Sequence, residues 1–345
     1  MTIKFMMFPN LLQATILRDV SDFDLMKFSM VSTKAKNLAT HQNRSVAHIG
    51  CLVNFFYTDE LAIFIDREPG LKSEAKDMSP VFVCRIPRRA NEPTPKWEKE
   101  TLMIDCAGRP TNAQRMAVFE KLVKIVRDVF ITQEFYLNFS ERFNLRESFF
   151  WNMRYPPNHL HFAQRSDQKM NFSVENVRFA LENLTLDSLM INGDVALGYT
   201  CSSPLTSKMV NLGTSQWLEL DAILNSTSEH LDFFDQDSLS NREIRQVIDK
   251  WLNGGLNNLK TMTLRTEAQT GNPAKWRRKL EKILSGIDFF RWSADNRPAS
   301  CTSAVGELNL EGALDFMRDD GTVASLDLSP DYGIHFVVWP NPNDS

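Results

Sequence analysis

Only five of the 345 residues are cysteines, and no two of them form a CxxC pair. Cys51, Cys84, Cys106, Cys201 and Cys301 are odd in number and widely separated. That spacing excludes a zinc ribbon and a thioredoxin-like dithiol, and leaves buried apolar thiols in a reducing compartment as the expectation. No apolar run reaches the length that crosses a bilayer. Lys4 is followed by no long apolar stretch before Pro9, so no secretory signal is expected. The sequons at Asn138, Asn171, Asn183 and Asn225 therefore carry no meaning, and the protein is expected to be intracellular, in cytoplasm or nucleus. The chain has no GxxxxGK[ST] loop, no GxGxxG after a strand and no GxSxG elbow, and nothing nominates a nucleophile. Neither enzymatic activity nor a cofactor is expected. A net charge of −4 supplies no field for general nucleic-acid binding.

What remains is an ordinary globular composition, 43% hydrophobic and 24% charged, long enough for two or three domains. The first forty residues organise the rest. After Phe8-Pro9, Leu12, Ile16, Leu17 and Val20 recur at the spacing of one helix face. Proline is tolerated at a helix start because the first N–H groups lack intrahelical partners. Ser21 offers an N-cap, with Asp24 three positions on. The second run, Phe23, Leu25, Met26, Phe28, Met30 and Val31, is apolar on more than one side. About thirty residues cannot bury that much surface internally, so a partner is expected in this chain or another.

Val46 to Asp66 reads as two strands around the turn Thr58-Asp59-Glu60, and short strands are expected at 81–86 and 102–106. The charged, proline-bearing stretches 67–80 and 87–100 read as loops. Pro110-Thr111-Asn112 opens a helix whose face is Met116, Phe119, Leu122, Val123, Val126 and Phe130. Strand Phe135–Phe139 follows, which suggests a crossover with parallel pairing. The aromatic segment Phe149 to Pro157 reads as a joint between subdomains.

Beyond it, Trp217, Leu220, Ile223 and Leu224 read as a short helix face, and His230–Phe234 as a strand. Ser240 and Glu243 make a capping box before Ile244, Val247, Ile248, Trp251 and Leu252, with Asn253-Gly254-Gly255 as the stop. A strand over 259–264, a helix face Trp276, Leu280, Ile283, Leu284, Ile287, a hairpin around Asp319-Asp320-Gly321 and a last strand 335–339 complete the chain. Strand–helix units about thirty residues apart resemble the leucine-rich-repeat plan, without its asparagine ladder.

Several clusters could carry chemistry, and each has a simpler reading. His159-x-His161 lacks a third ligand, so packing is the better account than metal. The eight carboxylates between Glu219 and Asp249 are spread over two helices and a strand and read as a solvated face. Lys275, Arg277, Arg278, Lys279 and Lys282 lie opposite an apolar face, where a solvated helix places its charges. Trp217, Trp251 and Trp276 read as core, whereas Trp97, Trp151 and Trp292 fall in loop-like segments where interface anchors also occur.

The order Phe8-Pro9, Leu12, Ile16-Leu17, Asp24-Leu25, Phe28-Ser29, Ser32 and Lys34 resembles an F-box, although Phe8-Pro9 replaces the usual Leu-Pro and the tryptophan often found near the module's end is absent. Trp217, Asp221, Leu231, Trp251, Gly254, Asn258, Leu259, Asp320-Gly321 and Val338-Trp339, in that order, resemble the F-box-associated domain (type 2) of the large nematode F-box family. The two resemblances imply an α+β multidomain chain: a three-helix F-box at 1–45, an α/β region at 46–157, and an F-box-associated domain at 158–345 of alternating strands and helices, resembling leucine-rich repeats. They imply a substrate-recruiting subunit of a cullin–RING ubiquitin ligase. Phe8, Pro9, Leu12, Ile16, Leu17, Leu25, Phe28, Ser29, Ser32 and Lys34 would then meet the ligase adaptor subunit and through it cullin. The C-terminal domain would hold an unknown substrate protein, with no metal, cofactor, membrane or nucleic acid involved. The rival reading is a repeat-like protein-binding module with no ligase partner, its N-terminal helices capping its own core.

Overall fold

The computed structural model describes residues 10–46, 48–54, 60–66, 82–86, 101–103, 111–139, 144–163, 171–196, 198–234, 239–264, 273–291, 293, 297–303, 306–329 and 333–340. The Phe8-Pro9 pair, the turn at 58–59 and the loops at 67–80 and 87–100 lie outside these residues. The chain is mixed α+β, with eight α-helices among the described residues, and divides into two compact units, Met1–Leu160 and His161–Ser345.

Three short helices lead the first unit: α1 (Asn10–Arg18), α2 (Asp22–Ser29) and α3 (Thr33–Thr40). None has the length to be stable alone. Serine hydroxyls hold the starts of the second and third, Ser21 accepting from the Asp24 amide and Ser32 from the Ala35 amide, both at 3.1 Å. Leu17, Leu25, Met26, Ala35 and Ala39 bury together as their core. The polar break after α3 contributes more than a linker. Arg44 donates to the carbonyls of Leu17 (3.1 Å), Arg18 (2.7 Å) and Val20 (2.6 Å) and to Asp22 Oδ1 (3.1 Å). One guanidinium thus satisfies the open C-terminus of α1 and ties it to the start of α2. Arg44→Ala is expected to destabilise the first unit by about 1–3 kcal/mol, read by chemical denaturation, because the partly buried Leu17 and Val20 carbonyls and the Asp22 carboxylate would lose this donor.

Strands β1 (Arg44–Ser45), β2 (His48–Asn54), β3 (Glu60–Asp66), β4 (Phe82–Ile86) and β5 (Thr101–Met103) precede helix α4 (Asn112–Val129), which is followed by β6 (Phe130–Ile131) and β7 (Glu134–Phe139). The sheet runs β7-β2-β3-β4-β5, with β2/β3 and β3/β4 antiparallel and β2/β7 and β4/β5 parallel. The crossover through α4 therefore returns beside β2 rather than beside β5. Thr111 and Gln114 form a full capping box at the start of α4. Phe119, Leu122, Val123 and Val126 are buried along its length, Met116 only in part, and Phe130 is buried just past its end. Helices α2 and α3 pack against α4, where Lys36 meets Asp128 at 2.5 Å. The aromatic segment after β7 inserts Phe150 edge-on between Phe119 (6.3 Å) and Phe135 (6.1 Å), so it fills the first unit's core. Strand β8 (His159–Ala163) then leads the chain into the second unit.

There the elements are β9 (Asn171–Phe172), α5 (Val174–Asn183), β10 (Ser188–Asn192), β11 (Asp194–Val195), β12 (Met209–Leu212), α6 (Leu220–Leu224), β13 (His230–Phe233), α7 (Asn241–Leu252), β14 (Thr261–Leu264), α8 (Pro273–Ile283), β15 (Phe289–Arg291), β16 (Ser300–Ser303), β17 (Gly306–Asn309), β18 (Leu314–Met317), β19 (Val323–Ser329) and β20 (Gly333–Val338). Strands β10, β12, β13 and β14 are parallel neighbours, and β20, β19, β18 and β15 extend the sheet antiparallel. The parallel strands start at Ser188, Met209, His230 and Thr261, the first two intervals being equal. The strand–helix repeat goes no further than that. No helix lies among the described residues between β10 and β12, and past β14 the pairing reverses. Trp217 also departs from its expected place on a helix face. It precedes α6 and is buried beside Tyr199, ring centroids 5.7 Å apart.

One face of this sheet is apolar. Helix α7, started by the Ser240/Glu243 capping box, buries Ile244, Val247, Ile248 and Trp251. The Trp251 indole meets Phe316 at 5.9 Å and Phe336 at 5.7 Å, edge to face. The opposite face carries a row of buried polar residues in register, Asp232, Thr263 and His335, with His335 Nδ1 3.4 Å from Thr263 Oγ1. Burial pushes the His335 imidazole from its ordinary 6.5 down to about 4. The folded state therefore refuses a proton that the unfolded chain accepts below pH 6.5. The stability is fully present above that pH and is lost as pH falls toward 4, by about 3 kcal/mol at most. A His335→Gln chain is expected to show a flatter stability profile between pH 6.5 and 4. Asp327, opposite His335 in register, is pushed up by burial and acts in the reverse sense in both proteins. Denaturation midpoints measured across that window check the difference.

Candidate functional site

Two surfaces can meet a partner, one in each unit. In the first unit, Leu12 and Ile16 lie one turn apart on α1 and are 44% and 38% exposed. At the link between α2 and α3, Met30 and Val31 are 38% and 77% exposed. Among the described residues, half of the large apolar side chains left open to solvent thus sit on this short helical module. An accumulation of this kind marks an interaction surface more often than isolated apolar residues do. Ser32 and Lys34 are exposed beside it, and Phe28 is half-buried. Of the remaining members of the expected contact set, Phe8 and Pro9 lie outside the described residues, and the other three point inward. Leu17 and Leu25 are core, and the buried Ser29 hydroxyl donates to the Met26 carbonyl at 2.6 Å. Met30 and Val31 were absent from that set because an apolar run on several sides does not reveal which side the chain itself covers.

In the second unit a cavity of about 800 Å³ opens where β13 and β14 begin and β20 ends. Trp251, Leu259, Val337, Val338 and Trp339 give it apolar walls. Two guanidiniums lie over the indoles, Arg318 5.2 Å from Trp251 and Arg297 4.8 Å from Trp339. Arg318 donates to Asp320 through Nε and Nη2 and to Asn257 Oδ1 at 3.0 Å, and the hydrogen bonds from Arg318 and from the Thr322 amide hold the Asp320 carboxyl well below its usual range. At the mouth, Lys260 meets Glu229 at 2.6 Å, with Lys208 4.0 Å from the same carboxylate. The Lys260 hydrogen bond, more than its charge, keeps Glu229 ionised. His230 shares a 2.8 Å hydrogen bond with Thr261, and burial lowers its proton affinity.

The other clusters resolve into structural roles. His159 stacks on Tyr136 at 4.1 Å. Among the described residues, no group of three or more His, Cys, Asp or Glu could hold a metal ion. Within the acidic stretch, Glu243 caps α7, while Asp249 binds Arg245 at 2.7 Å. Arg245 also donates to the carbonyls of Ile283 and Ser285, which ties α7 to the end of α8. On the basic helix Arg277 pairs with Glu281, Arg278 and Lys282 are exposed, and burial lowers the proton affinity of the half-buried Lys279. Trp151 donates its indole N–H to the Leu145 carbonyl at 2.7 Å. Trp97, Trp292 and the Trp276 side chain lie outside the described residues. No described helix is long and apolar enough to cross a membrane.

One comparison bears on the cavity. The F-box associated family model matches residues 204–264. That segment is similar to F-box associated domains. It contains β12, α6, β13, α7 and β14, and so supplies Glu229, His230, Trp251 and the Asn257–Thr261 loop to the cavity. No curated protein matches the chain, and no solved structure does.

Proposed function

We propose that the chain is a substrate-recruiting subunit of a cullin–RING ubiquitin ligase, of the F-box type found with this associated domain in nematodes. The observation that carries the reading is the F-box associated match at 204–264, downstream of a three-helix module that leaves Leu12, Ile16, Met30 and Val31 open. In this reading Leu12 and Ile16 are the anchors that enter the ligase adaptor subunit, with Phe8 and Pro9 just before them and Met30, Val31, Ser32 and Lys34 around them. Leu17, Leu25 and Ser29 hold the module's shape, and Phe28 does both in part. Burial of apolar surface around a few large side chains drives such docking. The second unit presents a captured protein, and ubiquitin transfer is supplied in trans by proximity. The chain itself carries no catalytic group and works inside the cell.

The test is a titration of purified full-length chain against the adaptor subunit. Saturable micromolar or tighter binding is expected, and Leu12→Asp with Ile16→Asp is expected to weaken it more than about a hundredfold, since two anchors carry most of the energy. Binding that survives the double change overturns the contact assignment. Complete failure to bind favours the rival, a binding module without a ligase. One observation speaks for that rival: α2 and α3 pack on α4, as a cap would.

A further inference from the structure

Resting on the reading of the second unit as the protein-recruiting part, we infer that the cavity beside Trp251 and Trp339 is the capture site and that it takes an acidic peptide segment bearing one bulky apolar side chain. The size fits: about 800 Å³ accommodates a few side chains and not a folded domain. The walls fit the apolar side chain. Leu259, Val337 and Val338 flank two indoles that the overlying guanidiniums hold in place, so little ordering remains to be done on binding.

Charge selects the rest of the ligand. Three cations line the cavity, Arg297, Arg318 and Lys260, and a fourth, Lys208, lies 4.0 Å from the lining carboxylate of Glu229. Arg297 is neutralised by the buried Asp315 and Arg318 by Asp320. Lys260 and Lys208 share the single carboxylate of Glu229, which leaves one ammonium in surplus at the mouth. Lys260 keeps 61% of its side chain exposed, so an incoming carboxylate reaches it without breaking the existing pair. His230 is held neutral and adds no charge above pH 6.5. A positive mouth on a chain of net charge −4 draws acidic segments and repels basic ones.

The experiment probes a hexapeptide array, varying Asp, Glu, Ser and Lys around a central Leu, Phe or Trp, with labelled full-length chain at low salt. Acidic members are expected to bind and lysine members not. Lys260→Glu is expected to weaken the acidic hits at least about tenfold, and Lys260→Ala less, with both variants still folded at the assay temperature. Uniform binding across the array, no binding at all, or acidic hits that survive Lys260→Glu overturn the proposal. The same preparations are titrated with the ligase adaptor subunit. Loss of adaptor binding with intact acidic hits rejects the ligase reading alone. Failure on the array with intact adaptor binding rejects the capture site alone.

Discussion

Replacing Arg297 by methionine is expected to cost about 3–5 kcal/mol of folding stability, among the largest effects of any single change in the chain. Arg297 and Asp315 are 1% and 0% exposed and pair through both carboxylate oxygens, Nε to Oδ2 and Nη2 to Oδ1, each at 2.9 Å. Two further donors go to the carbonyls of Leu310 (2.7 Å) and Pro298 (2.8 Å). Asp315 Oδ1 also accepts from Ser325, whose oxygen accepts the Trp339 indole N–H at 2.6 Å. Methionine removes the cation and leaves a desolvated carboxylate with one hydroxyl donor. A second change, Asp315→Leu in the Arg297→Met background, is expected to restore part of the loss, because an apolar pair needs no charge compensation. Chemical denaturation of the unchanged chain, Arg297→Met, Asp315→Leu and the double variant checks this. Additive single losses, or a loss under about 1 kcal/mol for Arg297→Met, would contradict the arrangement.

Trp251→Ala is expected to cost a similar 3–5 kcal/mol by leaving a large void between α7 and the sheet. The indole is 1% exposed and contacts two phenylalanines from different strands, β18 and β20, so collapse cannot close the void from one side. Trp251→Phe should cost markedly less, since it keeps most of the volume. The alanine change also removes one apolar wall of the cavity and should weaken peptide binding at temperatures where the chain is still folded. A small stability loss for Trp251→Ala would mean that α7 does not seat against β18 and β20 as described.

The sequence made some of this readable and hid the rest for physical reasons. Helix α7 was legible down to its cap because Ser240, Glu243 and the apolar spacing are all local, and its stop was legible in Gly254, whose φ of 79° suits glycine. The β18–β19 hairpin was legible in Asp320-Gly321 for the same reason, Gly321 adopting φ 87°. Local signals do not report what is packed on top. The pattern at Leu12, Ile16, Leu17 and Leu25 gave a helical module, but which side it buries depends on the other helices and on α4, which follows seventy residues after α3. Nothing local marks Arg44 or Arg297, because the carboxylates they bind lie 22 and 18 residues away in sequence. The cavity was invisible for that reason too: its walls come from 229–261, from Arg297 and Arg318, and from the last strand. The buried row Asp232, Thr263 and His335 needed strand register, which no stretch of sequence displays.

The most direct test of the docking surface is hydrogen–deuterium exchange on the full chain, alone and with saturating ligase adaptor subunit. Slower exchange is expected across 10–18 and 30–34, with no change across 241–264. Protection confined to the second unit, or no protection anywhere at saturation, would contradict docking through Leu12 and Ile16.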